Sequence, residues 1–481
     1  MKIIFKLISK IWESPTFTTW GSFLSKSIYV VLLLPVITTN LSSEEITVWL
    51  LFSIFVGLQN IGDLGFGVTF VRVISYAMGG ALDISSFGKH DEIKRTDEVN
   101  WELIEKTNAT TKKVLFYSSL AFIAFISAVG FFALKKPIGY TLDQGDAWVA
   151  FIIILITIFF RFNGNRYSIF LQGVNNVAML RRWEAIISIL SIIASFFVVV
   201  ITKSLLYLII NQQVWAIIQM LFNRYLCRTI FEGRFKRFKP DGIDKELFKT
   251  IYPVAWRSWI GVLMSYGVVQ ASGLVVAQMG STASVSSYLF SLKILDIIKN
   301  FSNAPFYSKI PLYNRLFIEG NRNGLIARIK NGMRFSLMTL VISSIFIGIA
   351  GQPLLKMIGS NVTLVSSQIW LVMVFAYFFE RYGALHLQFY SISNNIVWHI
   401  ANGVSGIIFI GMSTAFVTFF NLGIISFPLA LLISSLSFYS WYSARKSYKY
   451  FKIGFIPFEY KTSFFPLIIL VIYLIYNLIV L

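Results

Sequence analysis

Cysteine and histidine are scarce in this chain. Cys227 is the single cysteine, so an internal disulfide is excluded. The three histidines, His90, His386 and His399, are far apart and lack the spacing of metal ligands. Charged residues make up only 13% of the sequence, about half of the share in a soluble domain. These absences argue against a disulfide-rich, metal-binding or ordinary soluble protein, and no bound cofactor is expected.

Apolar residues are abundant instead. They form 56% of the 481 residues and include 46 phenylalanines and 12 tryptophans. The apolar runs are continuous rather than alternating, which is typical of membrane helices and not of a β-barrel. We predict an all-α integral membrane protein with about 12–13 transmembrane helices. The predicted apolar segments are 18–39, 45–77, 113–134, 147–170, 184–203, 205–227, 251–279, 283–308, 333–351, 365–392, 397–419, 421–444 and 463–481.

The basic residues are distributed unevenly between the two sides of the membrane. With a cytoplasmic N-terminus, 31 lysines and arginines fall in inside segments and four in outside loops. This asymmetry agrees with the positive-inside rule and supports the orientation. The net charge of +20 therefore belongs mainly beside anionic lipid headgroups, and nucleic acid is not expected as a partner.

The loops and segments predict a domain order. Residues 1–16 form an amphipathic helix on the cytoplasmic surface, with three lysines on one face. Residues 17–229 form an N-terminal six-helix bundle, 230–250 a basic cytoplasmic linker and 251–445 a C-terminal six-helix bundle. Residues 446–481 add a cytoplasmic segment and a possible further transmembrane helix. A short similarity between the second and eighth spans is consistent with two parallel halves.

The stretch 61–72 interrupts a long apolar run with polar and small residues. It contains Asp63, Arg72 and three glycines, Gly62, Gly65 and Gly67. A helix that faces lipid would exclude the two charges, so we expect a polar surface beside it. The glycines predict a hinge or a point of close packing.

Charged residues recur inside several other spans. The cations are Lys26, Arg72, Arg161, Arg257, Lys293, Lys299 and Arg381, and the acids are Asp63, Asp296 and Glu380. At about 100° per residue, the polar residues of four spans fall into stripes, which must face one another or water. Three of these stripes contain Arg161 with Asn165 and Ser168, Asp296 with Asn303, and Tyr377 with Arg381.

Each of these charges also has a structural interpretation. Lys26, Arg161 and Lys299 could reach an interface with their long side chains, and for Lys299 this is the preferred interpretation. Lys293 and Asp296, spaced i,i+3, could form a structural ion pair. Arg257 lies between two tryptophans and could anchor its helix at the interface. Glu380 or its neighbour Arg381 is expected to pair with another helix.

The motif that begins at Leu41-Ser42 resembles a known family. It continues through Glu44-Glu45-Ile46, Trp49, Asp63-Leu64-Gly65-Phe66 and Arg72. This pattern, in a basic multi-span chain, resembles O-antigen flippases of the Wzx type, in the multidrug/oligosaccharidyl-lipid/polysaccharide (MOP) superfamily. The resemblance implies an all-α fold of two six-helix bundles around a central cationic cavity. It also implies alternating access, undecaprenyl-diphosphate-linked glycan as cargo and H⁺ or Na⁺ as coupling ion. It also implies that the family's cations correspond to Lys26, Arg72, Arg257 and Lys293.

The sequence therefore predicts a lipid-linked oligosaccharide flippase of the bacterial cytoplasmic membrane. Its partners would be the glycan lipid, the bilayer, a polysaccharide polymerase and a chain-length regulator. The predicted substrate-binding residues are Lys26, Arg72, Arg161, Arg257, Lys293 and Arg381, and the predicted ion-coupling residues are Asp63, Asp296 and Glu380.

Three alternatives remain at this point. A drug or cation exporter of the same fold would need more buried acids. A membrane polymerase or glycosyltransferase would need a large catalytic loop outside the membrane, and none is visible in the sequence. A structural membrane scaffold would have no use for the polar stripes.

Overall fold

A computed structural model describes residues 28–62, 65–82, 96, 98–238, 242–393 and 397–480. The predicted amphipathic helix 1–16, Lys26 and Asp63 lie outside the described residues. Within these ranges every regular element is a helix, and no strand occurs. This confirms the predicted all-α fold class.

The helices follow one another along the whole described chain. They are α1 (Leu34–Asn40), α2 (Ser43–Gly62), α3 (Phe66–Met78), α4 (Trp101–Gly139), α5 (Gln144–Gly173), α6 (Val177–Thr202), α7 (Leu205–Thr229), α8 (Lys245–Val262), α9 (Val268–Met279), α10 (Thr282–Tyr307), α11 (Ile310–Ile318), α12 (Arg322–Met357), α13 (Ser367–Ser391), α14 (Trp398–Thr418), α15 (Ser426–Ser434), α16 (Ser440–Phe451), α17 (Phe455–Glu459) and α18 (Phe464–Val480). Short π-helical turns precede α1, join α8 to α9 and join α15 to α16; they cover Tyr29–Leu33, Leu263–Gly267 and Ser435–Tyr439.

Several of these helices can cross a bilayer. Among the described residues, eight helical stretches are long and apolar enough. They are α4, α5, α6, α7, α12, α14, the continuous stretch Lys245–Met279 and the stretch Gly423–Phe451. Two shorter apolar helices are α3 and the C-terminal α18. The chain is therefore a multi-pass membrane protein.

The predicted division between the fifth and sixth spans is confirmed. Helix α6 ends at Thr202 and α7 begins at Leu205. Lys203 between them has a φ of 47°, in the left-handed region that reverses the chain direction. Two residues are therefore enough to separate two membrane helices.

Packing divides the chain into two compact units. Unit 1 contains Phe52–Leu263, and unit 2 contains the described residues before Phe52 together with Met264–Leu481. In unit 1, α5 packs against α3, α4 and α7. In unit 2, α13 packs against α10, α12, α15 and α16. The bundle limits at residues 229 and 251 stay predictions.

The sequence analysis treats 45–77 as a single apolar span. The structure instead divides this run into two helices. Helix α2 ends at Gly62, and α3 begins at Phe66 after Gly65, whose φ is 75°. A Cβ atom on Gly65 would lie 2.3 Å from the carbonyl oxygen of Ala255 in α8. The backbones of α3 and α8 approach this closely only because residue 65 has no side chain. The predicted hinge or close-packing point is confirmed at Gly65.

Candidate functional site

A polar cavity of about 380 Å³ lies in unit 1. Its volume falls within the range of about 300–1,000 Å³ that is typical of small-molecule sites. It is lined mainly by α5, α6 and α7, with one residue from the end of α2. The lining residues are Gln59, Arg161, Phe162, Gly164, Asn165, Ser168, Arg181, Glu184, Ala216, Gln219, Met220 and Asn223. Carboxamide and guanidinium groups therefore dominate this surface.

The cavity wall has a formal charge of +1, from two arginines and one glutamate. Arg181 is already paired, since its Nη1 lies 2.8 Å from Glu184 Oε2. Arg161 is half-buried in the wall and has no acidic partner among the described residues. A half-buried guanidinium without a counter-charge is a binding group for an anion.

Two hydrogen-bond acceptors in the same wall are unused. The side-chain oxygens of Gln59 and Asn223 are buried and have no hydrogen-bond partner among the described residues. A buried acceptor without a partner costs about 1–3 kcal/mol, so such groups usually meet water or a ligand. The cavity thus offers a cation and two acceptors to the same occupant.

The other predicted cations of unit 1 do not line this cavity. Arg72 is half-buried on α3, and Arg257 is exposed on α8. The two helices are brought together at Gly65, where the backbone of α3 meets that of α8. That Arg72 and Arg257 bind substrate stays a prediction.

In unit 2, the predicted polar stripes of α10 and α13 face each other. The Tyr377 hydroxyl donates to Asp296 Oδ1 over 3.0 Å. One turn further along α13, the guanidinium of Arg381 donates to Asn303 Oδ1 on α10 and to Ser336 Oγ on α12. The expectation that polar stripes pair with one another is confirmed for these two helices.

Arg381 and Asp296 are both engaged by the protein itself. Arg381 is only 3% exposed. Asp296 also accepts a hydrogen bond of 2.6 Å from Gln270 on α9. These bonds hold α9, α10 and α13 together through buried polar contacts.

Lys293 is half-buried and does not form an ion pair with Asp296 among the described residues. Its Nζ lies 5.8 Å from the centre of the Tyr29 ring, in a cation–π arrangement. The structural ion pair considered for this i,i+3 spacing is therefore not found, because Asp296 turns toward α9 and α13.

Lys299, for which snorkelling is the preferred interpretation from the sequence, forms an ion pair with α13. Its Nζ lies 3.1 Å from Glu380 Oε2, and both side chains are half-buried. Packing of α10 against α13 places the ammonium opposite a carboxylate, and the two charges attract each other more strongly there than in bulk water. The expectation that Glu380 pairs with another helix is confirmed.

A small cavity of about 40 Å³ adjoins this ion pair. The polar residues that line it are Ser265, Lys299, Tyr377, Glu380, Asn402, Ser405, Ser434, Ser435 and Tyr439. Its size suits one or two water molecules or a single cation. Of the three predicted ion-coupling acids, Glu380 lines this cavity, Asp296 binds the Tyr377 that lines it, and Asp63 lies outside the described residues.

The sequence analysis identified Arg161, Asn165 and Ser168 but missed the opposite wall of the larger cavity. Gln219 and Asn223 lie four residues apart on α7, so they share one face of that helix. The same stripe pattern that identified the α5 face would have found them. Gln59 lies beside Asn60 near the end of α2, and the sequence analysis did not identify it.

Comparison with known proteins shows the fold. No protein-family model matches the chain, and no curated protein matches its sequence. An inward-facing multidrug resistance MATE family transporter of the MOP superfamily is 13% identical, with a TM-score of 0.64 over 91% of this chain and 95% of that one. The lipid II flippase MurJ, in an inward closed conformation, is 14% identical, with a TM-score of 0.60 over 98% and 92%.

A third similar structure is a MOP superfamily transporter from Pyrococcus furiosus, described as having a binding pocket of reverse polarity. It is 13% identical, with a TM-score of 0.60 over 92% of this chain and 98% of that one. The structural neighbours are thus MOP-superfamily transporters, and this chain has their fold.

Proposed function

We propose that this chain is a flippase that moves an undecaprenyl-diphosphate-linked oligosaccharide from the inner to the outer leaflet of a bacterial cytoplasmic membrane, by alternating access. The observation that carries the proposal is the unit 1 cavity, which combines an uncompensated guanidinium with carboxamides. Phosphate oxygens accept charge-assisted hydrogen bonds from arginine. Sugar hydroxyls donate to carboxamide oxygens such as those of Gln59 and Asn223.

The cargo class follows from this combination of groups. A drug cation would be repelled by a wall with a formal charge of +1, and a neutral sugar would not require Arg161. A phosphorylated glycan uses both kinds of group. The similarity to MurJ, a lipid II flippase, supports a lipid-linked cargo on the same fold.

The remaining predicted cations are assigned to the same cargo. Arg72, Arg257 and Lys293 would bind the diphosphate, and Lys26 and Arg381 would assist at the walls. For Arg381 this role requires that it exchange its bonds to Asn303 and Ser336 for bonds to the cargo.

The small cavity beside Glu380 is proposed as the coupling-ion site, for H⁺ or Na⁺. The carboxylate of Glu380 and the hydroxyls that line the cavity are oxygen ligands of the kind that such ions use. Asp296 is linked to the cavity through the lining Tyr377. Asp63 completes the proposed set of ion-coupling acids. A polysaccharide polymerase and a chain-length regulator are the proposed protein partners, and the protein itself is proposed to be a transporter and not an enzyme.

The test is flipping of a lipid-linked glycan by the purified chain in vesicles. The Arg161→Gln substitution removes the proposed charge-assisted hydrogen bond to the cargo, which is worth about 1.5–3 kcal/mol. The flipping rate at limiting substrate should therefore fall about 10- to 100-fold. Arg315→Gln is the matched control, since Arg315 is exposed on α11 and pairs with Glu319 at 2.6 Å.

Two outcomes would contradict the proposal. The first is equal flipping by the Arg161→Gln and Arg315→Gln variants. The second is the absence of flipping by the unmodified chain together with efflux of cationic drugs, which would assign the protein to the exporter alternative.

A further inference from the structure

A buried polar cluster lies in unit 2, apart from both cavities. We call it the His386 cluster; its members are His386 on α13, Ser447 and Tyr448 on α16, and Glu459 at the end of α17. His386 and Ser447 are fully buried, and Glu459 is 5% exposed. An imidazole and a carboxylate are costly to bury, so their presence here calls for a function.

Glu459 accepts hydrogen bonds at both carboxylate oxygens. Oε1 accepts from the hydroxyls of Tyr448 and Tyr382, the latter over 3.2 Å. Oε2 accepts from the hydroxyls of Thr462, over 2.7 Å, and Ser463. A carboxyl group surrounded by donors on both oxygens is ionised.

His386 links this carboxylate to α16. Its Nε2 lies 3.1 Å from Glu459 Oε1, so Nε2 carries a proton and donates it. Its Nδ1 lies 2.7 Å from Ser447 Oγ. The Ser447 hydroxyl also lies 2.9 Å from the carbonyl oxygen of Ala444, to which it can donate.

The single hydroxyl hydrogen of Ser447 therefore has two possible acceptors. When it points to His386 Nδ1, the imidazole is neutral. When it points to the Ala444 carbonyl, Nδ1 carries a second proton and donates it to Ser447 Oγ. Rotation of one hydroxyl thus lets the ring take up or release a proton while the heavy atoms stay in place.

The proton changes the charge of the buried cluster. With a neutral imidazole, the carboxylate of Glu459 is a buried negative charge held by neutral donors. With an imidazolium, the cluster is an ion pair of zero net charge. The added proton therefore compensates the buried negative charge of Glu459.

Other titratable groups face the cluster from the neighbouring helices. Tyr382 lies on α13 itself, and Tyr448 lies on α16. Lys330 on α12 places its Nζ 5.4 Å from the Phe458 ring and 3.4 Å from the Pro457 carbonyl oxygen. Lys461 follows α17 and interacts electrostatically with Lys330. Neither lysine forms a salt bridge with Glu459 among the described residues, so His386 is the basic side chain closest to its carboxylate.

Glu459 also controls the start of the last helix. Ser463 precedes α18, and its carbonyl oxygen accepts the first helical hydrogen bond, from Leu467 N. The carboxylate therefore binds the N-cap residue of α18 on one side and α13 on the other. Loss of its counter-charge would weaken both attachments.

We propose that His386, Ser447 and Glu459 form a proton-binding site. Proton binding there stabilises the packing of α17 and α18 against α13 and α16. The ligand is a proton, taken at Nδ1 of His386 and balanced by the carboxylate of Glu459. This site is separate from the ion-coupling acids assigned above and does not depend on which cargo is carried.

The direct test is ¹⁵N NMR of labelled histidine in the full chain in lipid nanodiscs. The double variant His90→Asn/His399→Asn leaves His386 as the sole histidine, so its ring signals are unambiguous. Between about pH 5 and 9, we expect two protonated ring nitrogens at the acid end and one at the alkaline end. Glu459→Gln in this background should leave one protonated nitrogen throughout.

The proposal fails if the ring of His386 keeps the same protonation state over that range. It also fails if Glu459→Gln leaves the titration unchanged. The first measurement needs no substitution within the cluster, so it decides the question even where Glu459→Gln does not fold.

Hydrogen exchange tests whether the proton stabilises the packing of α18 against the rest of unit 2. After correction for the intrinsic pH dependence, amides of α18 should exchange about tenfold faster or more once His386 has lost its proton. Amides of α6, in unit 1, are the internal control and should follow the intrinsic dependence alone. Equal behaviour of α18 and α6 would overturn the proposed attachment.

Discussion

Glu459 shows how one carboxylate can be kept ionised in a buried position. Burial by itself raises the pKa of this carboxyl group. Hydrogen bonds from His386, Ser463 and Tyr448 outweigh burial and lower the pKa to about 2. The group therefore favours the folded state whenever it is ionised.

The Glu459→Gln substitution should change how the free energy of unfolding depends on pH. The pKa of Glu459 is lower in the folded chain than the 4.5 of a free carboxyl, so its contribution is present above about pH 4.5 and is lost as the pH falls toward about 2. At about 1.4 kcal/mol per pKa unit, the contribution is about 3 kcal/mol. Equilibrium unfolding in detergent at neutral and acid pH measures it.

The expected result is that the variant is less stable than the unmodified chain at neutral pH and that this difference shrinks on acidification. Glu319 is an exposed carboxylate at the C-cap of α11, so Glu319→Gln controls for the loss of one negative charge and should follow the unmodified profile. A constant difference at all pH values would assign the effect of Glu459→Gln to packing.

At the scale of the helices, the break between α2 and α3 is the feature that most departs from the apolar pattern. Composition alone predicts one span across 45–77, because the run as a whole is rich in apolar residues. The backbone instead reverses its φ at Gly65 and lies against α8. Hydropathy averages over many residues and does not register a single left-handed position, whereas the glycines did indicate it.

Gly65→Ala should destabilise the fold strongly. The left-handed φ costs alanine about 1 kcal/mol, and the overlap of Cβ with the backbone of α8 adds about 1–3 kcal/mol. The matched control is Gly320→Ala, since Gly320 has a φ of 69° and open space around its Cβ position. Thermal unfolding of both variants in detergent is the measurement.

Gly320→Ala should show only the cost of about 1 kcal/mol that a left-handed φ imposes on alanine. If the two variants have the same melting temperature, the close contact between α3 and α8 does not contribute to stability as described.

At the scale of the whole molecule, the placement of basic residues predicts which side each loop faces. The single native cysteine makes this testable. Cys227 is fully buried, with its thiol 3.4 Å from the Tyr167 carbonyl oxygen. A membrane-impermeant maleimide should therefore give no background label on the folded chain.

Cysteines introduced at exposed lysines should report the orientation. Lys135→Cys and Lys356→Cys should react in intact cells. Lys236→Cys and Lys449→Cys should react only after the membrane is permeabilised. The opposite pattern would show that the N-terminus is not cytoplasmic.

The sequence predicted the positions of the helices well because long apolar runs must form helices in a bilayer. It also predicted that the stripes of α10 and α13 face each other, since polar groups such as Asp296 and Arg381 cannot face lipid. It could not predict the pair Lys299–Glu380 or the place of Gln59. Such contacts depend on how far each helix is rotated about its own axis, and that rotation is set by packing between helices.

The polar contacts between α10 and α13 also have a consequence for how the protein is made. Neither helix is among the described helices that are apolar enough to cross a membrane by themselves. Each ionised side chain costs about 2.5–3.5 kcal/mol on insertion, and here Lys299 meets Glu380 while Asn303 meets Arg381. We therefore expect α10 to stay near the translocation channel until α13 has been synthesised, so that the two helices enter the lipid as a pair.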